Sequence, residues 1–584
     1  MRTPTIPLRW VALAAIVAAA AALRLVDLGA VRLDPFYDAA VRSMGLSWHN
    51  FFLGAYEPGG SVSIDKPPLD LWLQVASVKL LGWSSTSLKL PEALAGTVSV
   101  PLLYAALRPP FGVLAGLVAA AALAVLPIEV ITARSDTMDA VMMLLLVVAL
   151  WAVVRACGPA EDRTSPDRLG PTAWLLVAAA ALGLAFNVKL LESLVALPGL
   201  LLIAWLGLPR VRGISPSAER ARRAAQVAAA AAAGVYVVVA LSWLSATLLV
   251  PAHERPYAIG STDGSAWNAA FVFNGSERLT GKAVEVAGAS TVAAQHVGAG
   301  RPASPGTNPI VPPSPTRLLA RGGQLPARWL GWEALAALLL GAGVVLSAYR
   351  RGAARPQRAT TTGIFVWLLT GIALFSAMAR LHPRYVESFT PAVAGMLGIG
   401  VAWVAGARGR MRLLAVPLTA LLVVPFVASV EAVSDRTSDA GAVGALNGSE
   451  QRALSAYLRA HQAGARYELA AGSATSIASL IVQDQRPLVM LTTYNGLPLT
   501  SVPELRRLIA RGEVRYAFLD SACKPGAPKS TAGCAPAARW VRAHGTDVSR
   551  QAGLGFTSVL WRLPPPPLAG GLARTPGRGN PLRR

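Results

Sequence analysis

Charged residues are scarce in this chain, and they are bunched. The stretch Ser63-Ile64-Asp65-Lys66-Pro67-Pro68-Leu69-Asp70-Leu71-Trp72 sets a carboxylate, an ammonium and two rigid prolines side by side. The same early segment holds Asp34, Tyr37, Asp38, Arg42, His49 and Glu57. Four further segments add to it: "EVITARSDTMDA" with Glu129, Arg134, Asp136 and Asp139; "FNVKLLES" with Asn187, Lys189 and Glu192; "HERPY" with His253, Glu254, Arg255 and Tyr257; and "ARLHPRYVES" with Arg380, His382, Arg384, Tyr385 and Glu387. Carboxylates that take a proton, beside Lys, Arg and His that hold a phosphate, are the parts of a group transfer with an anionic leaving group.

What positions these residues is a membrane. The 584 residues are 53% hydrophobic and 15% charged, with a mean hydropathy of +0.47, which is too apolar for a soluble protein of this length. Eleven apolar tracts are each long enough to cross ~30 Å of hydrocarbon as a helix: 8–26, 89–107, 112–128, 139–156, 172–187, 191–208, 225–250, 328–348, 362–379, 387–406 and 412–430. The first is read as a retained anchor rather than a cleaved signal peptide. With the N-terminus cytoplasmic, the arginines at 108, at 155–168, at 210–223, at 350–358 and at 408–412 all fall on the inner side, a consistent positive-inside pattern. Segments 27–88 and 251–327, and all that follows residue 430, are then outside, so the five polar segments point at one outer membrane face.

This placement excludes other classes. A net charge of +23 invites a nucleic-acid reading, but much of the excess lies in short loops beside anionic lipid, and no nucleic acid is needed. No Walker A loop or dinucleotide fingerprint occurs, so ATP-driven transport has no support. A secondary transporter or flippase of lipid-linked sugar is the alternative, yet it calls for ionisable groups near the midplane.

After residue 430 the period changes. Apolar runs at 466–471, 487–492, 514–519 and 557–562 read as strands, and 451–463, 474–484, 502–511 and 536–544 have helical spacing. The expected fold class is a polytopic α-helical membrane protein (1–430) followed by an extracytoplasmic α/β domain (445–566) with a partly parallel sheet and a basic tail (567–584). Cys523 and Cys534 share that domain, where an oxidising compartment would pair them.

"LDPFYDAAVRSM", "IDKPPLDLWLQ" and "LPEALAG" together resemble the start of lipid-dependent GT-C glycosyltransferases of glycosyltransferase family 39, which include protein O-mannosyltransferases and the aminoarabinose transferase of lipid A. "FNVKLLES", "RPYAIGSTDGSAWNAAFVFNGSERLTG", "HPRYVESFTPAVAGMLGIG" and "YLRAHQAGARYELA" are similar to a bacterial branch with a C-terminal α/β domain. The resemblance covers about residues 24–563. It implies transfer of a sugar from a polyprenyl-phosphate donor to a hydroxyl on a lipid, glycan or protein acceptor, in the bacterial cytoplasmic membrane. It implies no required cofactor and no metal ligands, with a divalent cation left open.

Carried over residue by residue, the family's general base falls on Asp34, three residues before Tyr37, with Asp65 as runner-up and Glu57 behind it. Lys66 matches the Lys of the acid-Lys-Pro-Pro motif and becomes the lipid-phosphate holder. Arg134, Lys189, Arg255, His382, Arg384 and Tyr385 are expected as further phosphate or sugar contacts. Asp139 is expected as an orienting acid, and Trp72, Trp267 and Tyr257 as surfaces for sugar faces.

Overall fold

The computed structural model describes residues 7–158, 169–208, 215–281, 313–319, 330–379 and 381–565, except 442, 445, 474, 495, 521, 524 and 527–531. Arg380, the tail at 567–584, the loop arginines Arg163, Arg168, Arg210 and Arg212, and most of the 251–327 loop beyond Gly281 lie outside the described residues.

Among the described residues, nine helical segments are long and apolar enough to cross a membrane: Leu8–Ala30, Ser85–Val125, Asp139–Ala156, Pro171–Gly207, Pro216–Thr247, Trp332–Arg350, Arg355–Ala377, Pro383–Ala405 and Gly409–Ser434. The sequence reading counts eleven because two of these nine each contain a pair of its tracts. Ser85–Val125 runs 41 residues, starts in a capping box between Ser84 and Ser87, and breaks at Gly112, where φ is 86°. That left-handed conformation is open to glycine, and Pro109 and Pro110 already weaken the helix ahead of it. Beyond the break the chain doubles back: a Cβ on Gly116 would lie 2.8 Å from the Tyr104 ring and 3.2 Å from its carbonyl oxygen. A straight helix would hold residues 104 and 116 roughly 18 Å apart, so the two arms form a hairpin. In Pro171–Gly207 the break is a 3-10 stretch, Leu190–Ala196, entered through Leu190 at φ 46°. Lys189 precedes that irregular turn and Glu192 lies within it.

Small residues bring the spans together. A Cβ on Gly199 would stand 2.4 Å from the Gly363 carbonyl oxygen, and one on Gly183 2.8 Å from the Val239 side chain. Backbone approach of this kind is how helices pack where no water drives them together.

The two long connections are joined to each other. Strand β1 (Val62–Ser63) pairs in parallel with β2 (Tyr257–Ala258), which holds Asp65 and Lys66 beside the 257–281 segment. The last span ends at Ser434, and Arg436 at φ 52° turns the chain away. A strap at 437–441 leads into a five-stranded mixed sheet. Its strands are β3 (Ala470–Ala471), β4 (Val489–Met490), β5 (Tyr516–Phe518), β6 (Thr546–Asp547) and β7 (Leu560–Arg562), in the order β4-β3-β5-β7-β6. The pairs β3/β4 and β3/β5 are parallel, and β7 runs antiparallel to both its neighbours. Helices Gly448–His461, Ala478–Asp484, Val502–Ala510 and Pro536–His544 accompany the sheet, and Cys523 is bonded to Cys534. β6 lies outside the strand runs read from sequence; with two residues, half-exposed, it carries no apolar run to find.

Candidate active site

The prolines of the Lys66 motif end an extended segment and start the helix Leu69–Leu81, so Lys66 has little backbone freedom. Its Nζ lies 2.8 Å from Asp65 Oδ1, and the two side chains are 12% and 6% exposed. The ammonium also sits 5.6 Å from the centre of the Tyr37 ring. Burial alone would push Asp65 up and Lys66 down. Burial is the largest single influence on each, but the partner's charge and hydrogen bond, joined by Arg278 and Asn274 at Asp65 and by Tyr37 and Tyr385 at Lys66, together outweigh it, so Asp65 is held below the usual carboxylate range and Lys66 above the usual lysine range. Asn274 fixes the loop by donating to the Asp65 carbonyl at 2.7 Å.

Three more cations gather around this pair. Lys189 is ion-paired with Asp139 and lies 3.4 Å from Glu192 and 5.4 Å from the Tyr385 ring centre. Arg384 Nε lies 3.2 Å from Asp439 Oδ2. Arg278 Nη1 lies 3.2 Å from His382 Nε2. Arginine can only donate, so Nε2 accepts and the ring proton sits on Nδ1. Burial, and then Arg278, Arg384, Lys189 and Lys66, hold His382 well below the usual histidine range, so the imidazole is neutral. The Tyr37 phenol, pushed up by burial, feels Lys66, Arg384 and Lys189 at once. The structure thus brings together Tyr37, Asp65, Lys66, Asp139, Lys189, His382, Arg384 and Tyr385 from the sequence list. Each cation is parked on a carboxylate or an imidazole.

Asp34 caps the helix Pro35–Met44, with Oδ1 accepting from Phe36 N at 3.0 Å. Its Oδ2 accepts from Gly441 N at 2.7 Å, and its own N–H donates to Asp136 at 3.0 Å. Asp136 is itself pushed up to about 7 by burial and by Asp34.

Four expected contacts are placed otherwise. Glu57 is fully buried and accepts from Ser61 N at 2.5 Å, Gly59 N at 2.7 Å and Leu488 N at 3.3 Å. It staples the first connection to the C-terminal sheet, because three backbone donors there have no better acceptor. Arg134 reaches back to cap the first span, donating to Leu23 O at 3.1 Å and Val26 O at 2.6 Å. Those orphan carbonyls at a helix end need a donor. Tyr257 is spent on β2 and donates its hydroxyl to Ser261 O at 3.4 Å. Arg255 precedes it on the same strand connection, and its Nε meets no partner. None of the four makes a direct contact with the charged cluster. Trp267 donates to Leu244 O and stacks on Phe271.

Sequence reasoning missed Arg278, Asp439 and Tyr494. Arg278 sits in the quoted "NGSERLTG" and is the one to which that tract pointed. Asp439 comes from the strap, with no motif around it. Tyr494, from the C-terminal sheet, reaches Phe273 at 6.1 Å between ring centres and lies within electrostatic reach of Arg278.

The two prolines that follow Lys66 line an apolar cavity of about 210 Å³, together with Phe52, Trp72, Leu184 and Trp243 among others. The indole N–H groups of Trp72 and Trp243 donate to the Phe51 and Phe52 carbonyls at 2.7 and 2.8 Å, so the aromatic faces are left to form the walls. A charged cluster joined through Lys66, Pro67 and Pro68 to an apolar slot suits an amphiphile with an anionic head.

The chain is similar to known proteins. Residues 65–243 match the family model described as dolichyl-phosphate-mannose-protein mannosyltransferase, and residues 454–544 match one for the C-terminal part of YkcB-like proteins. "Putative mannosyltransferase YycA" of Bacillus subtilis (strain 168) is 25% identical over 90% of this chain and 92% of its own length. "Putative mannosyltransferase YkcB" of the same organism is 34% identical over 43% of this chain, a match that spans 32% of that relative. Among solved structures, ArnT from Cupriavidus metallidurans aligns with a TM-score of 0.54 in its undecaprenyl phosphate complex, at 16% identity over 88% of this chain and 93% of ArnT. Its apo form gives 0.55 over 87% and 92%. The chain is a polytopic helical membrane protein with the fold of ArnT, and its likeness in sequence is to the dolichyl-phosphate-mannose-protein mannosyltransferase family over residues 65–243 and to the putative mannosyltransferases of Bacillus subtilis.

Proposed function

We propose that this protein transfers a sugar from a polyprenyl-phosphate carrier to an acceptor hydroxyl at the outer face of the cytoplasmic membrane. The observation that carries the reading is the gathering of Lys66, Lys189, Arg278 and Arg384 in one charged cluster, with an apolar cavity lined by Pro67 and Pro68, the two residues that follow Lys66. The isoprenoid chain lies in the cavity and the phosphate is held among the cations. Lys66 is the principal phosphate holder, because the prolines that follow it limit its backbone and line the cavity.

In the reaction the acceptor oxygen attacks the anomeric carbon, the bond from that carbon to the phosphate oxygen breaks, and the cations stabilise the departing lipid phosphate. The hydroxyl proton goes to a carboxylate. Asp65 is a weak proton acceptor because Lys66 holds it ionised. Asp34 is the better base: each of its oxygens accepts one backbone N–H and keeps a second lone pair for the hydroxyl.

The test is mass spectrometry of polyprenyl-phosphate sugars and envelope glycans in a deletion strain, complemented with the wild type or with Lys66→Ala. A lipid-linked sugar should accumulate and one glycan should vanish, and Lys66→Ala should fail to reverse either. Purified protein that moved lipid-linked sugar across liposomes without making a glycosidic product would sink this reading in favour of a flippase.

A further inference from the structure

We propose that Asp439, carried in by the strap between the last span and the C-terminal sheet, is a positioning residue of the site: it grips the Nε edge of Arg384 and leaves Nη1 of that guanidinium without a partner. The proposal rests on reading the charged cluster as a phosphate cradle, and it makes the tether of the C-terminal sheet part of that cradle.

The strap behaves unlike a linker. Asp439 is nearly inaccessible, with its side chain 2% exposed. Five polar groups between 438 and 441 are spent on segments that build the site. Ser438 Oγ donates to Arg32 O at 3.1 Å, and Arg32 in turn donates to Ala440 O. Asp439 N donates to Ser135 Oγ at 3.2 Å, and Thr137 Oγ1 donates to Asp439 Oδ2 at 3.2 Å. Gly441 N donates to Asp34. The strap therefore ties together the segment before Asp34, the turn that leads to Asp139 and the turn that carries Arg384.

Arginine is a planar fork whose worth at an anion depends on orientation. The ion pair of Nε with Asp439 at 3.2 Å orients the guanidinium, and the buried Nη1 is a donor open to a ligand. A buried unsatisfied donor is costly, and an arriving phosphate oxygen relieves that cost.

Plain electrostatics predicts the opposite result for one substitution, which makes the proposal testable. Removing a carboxylate beside an anion site should tighten anion binding if Asp439 acts only through its charge. If Asp439 positions Arg384, Asp439→Asn should weaken binding. The experiment titrates undecaprenyl phosphate into full-length protein in nanodiscs. Lys66→Ala should weaken binding more than tenfold, and Asp439→Asn about tenfold. Asp439→Glu should restore most of the affinity. Arg384→Lys keeps the charge and loses the Nε grip, so it should cost about as much as Asp439→Asn, and the double variant should be no weaker than Arg384→Lys alone.

Unchanged or tighter binding in Asp439→Asn, or fully additive losses in the double variant, would overturn the proposal while Lys66→Ala still supports the cradle. Unchanged binding in Lys66→Ala would take the cradle down with it. Should Asp439→Asn fail to insert, a fold-change near one for Arg384→Lys would equally overturn it.

Discussion

The Asp65–Lys66 pair separates stability from function in a way one set of variants can read. Lys66→Met keeps the length of the side chain and removes its charge, leaving a carboxylate that is 6% exposed without its partner at 2.8 Å. At an effective dielectric of about 20, the lost Coulomb attraction at that distance is roughly 6 kcal/mol before desolvation is counted. Removing one partner of a buried pair costs about 3–5 kcal/mol net, and that is the expected destabilisation. Asp65→Asn with Lys66→Met removes both charges and should recover most of it. Turnover should not follow: with the leaving phosphate short of a cation, both variants should stay down by about 10²–10³-fold. The assay is thermal unfolding in nanodiscs beside sugar transfer by the same preparations. Recovery of turnover in the double variant would falsify the role given to Lys66; unchanged unfolding in Lys66→Met would refute the energetic account of the pair. Its pH dependence has a definite sign. Asp65, held low, contributes stability above about pH 4 that is lost as pH falls through its folded value. Lys66, held high, contributes below about pH 10 and loses it as pH rises through its own. Between pH 5 and 9 the contribution of the pair should be flat.

Three further outcomes are expected. Asp34→Asn should lower transfer by about 10²–10⁴-fold with carrier binding retained, and Asp34→Ala should additionally cost about 1 kcal/mol in lost helix capping; near-normal turnover in Asp34→Asn would move the base elsewhere. Burial pushes Asp439 up to about 6 even though Arg384 pulls it down, and it faces Arg384, Thr137 and Ser135, with Asp34, Asp139 and Lys189 nearby. Protonation below that value should release Arg384, so the rate should fall on the acid side near pH 6, and a limb that persists in Asp439→Asn would point to another acid. Glu57→Ala should strip three backbone donors of their acceptor at about 1–3 kcal/mol, and amide exchange at Leu488 should quicken; protection equal to wild type would show the staple to be idle.

How far the sequence could be read depended on whether a residue's meaning was local. Lys66 between Asp65 and two prolines is unusual in an apolar chain, and so are Lys189 and Glu192 interrupting a hydrophobic tract. Such residues announce a membrane surface wherever they sit. The hairpin at Gly112 was legible as two spans because Arg108, Pro109 and Pro110 mark a turn. Arg134 and Glu57 looked the same as Lys66 at this level. Their direction was set by backbone groups, the carbonyls at Leu23 and Val26 and the amides at 59, 61 and 488, that no side-chain pattern displays. Asp439 carried no signal at all, since its partner lies 55 residues earlier in the chain and the strap has no periodicity. Residues that hold a site are readable when they break a pattern, and hidden when tertiary structure alone recruits them.

The sheet order gives the molecule a timetable. β7, the last strand in the chain among the described residues, is an interior one, lying between β5 and β6. Until residues 560–562 have left the ribosome, β5 has an open edge and β6 has no neighbour, so the sheet that anchors the far end of the strap cannot close. All the membrane spans are synthesised by then. Nascent chains, and chains cut short by a late stop codon, would accordingly be fully inserted yet lack a finished sheet. Closure of the sheet that anchors the strap therefore waits on β7, well after the last span has been made.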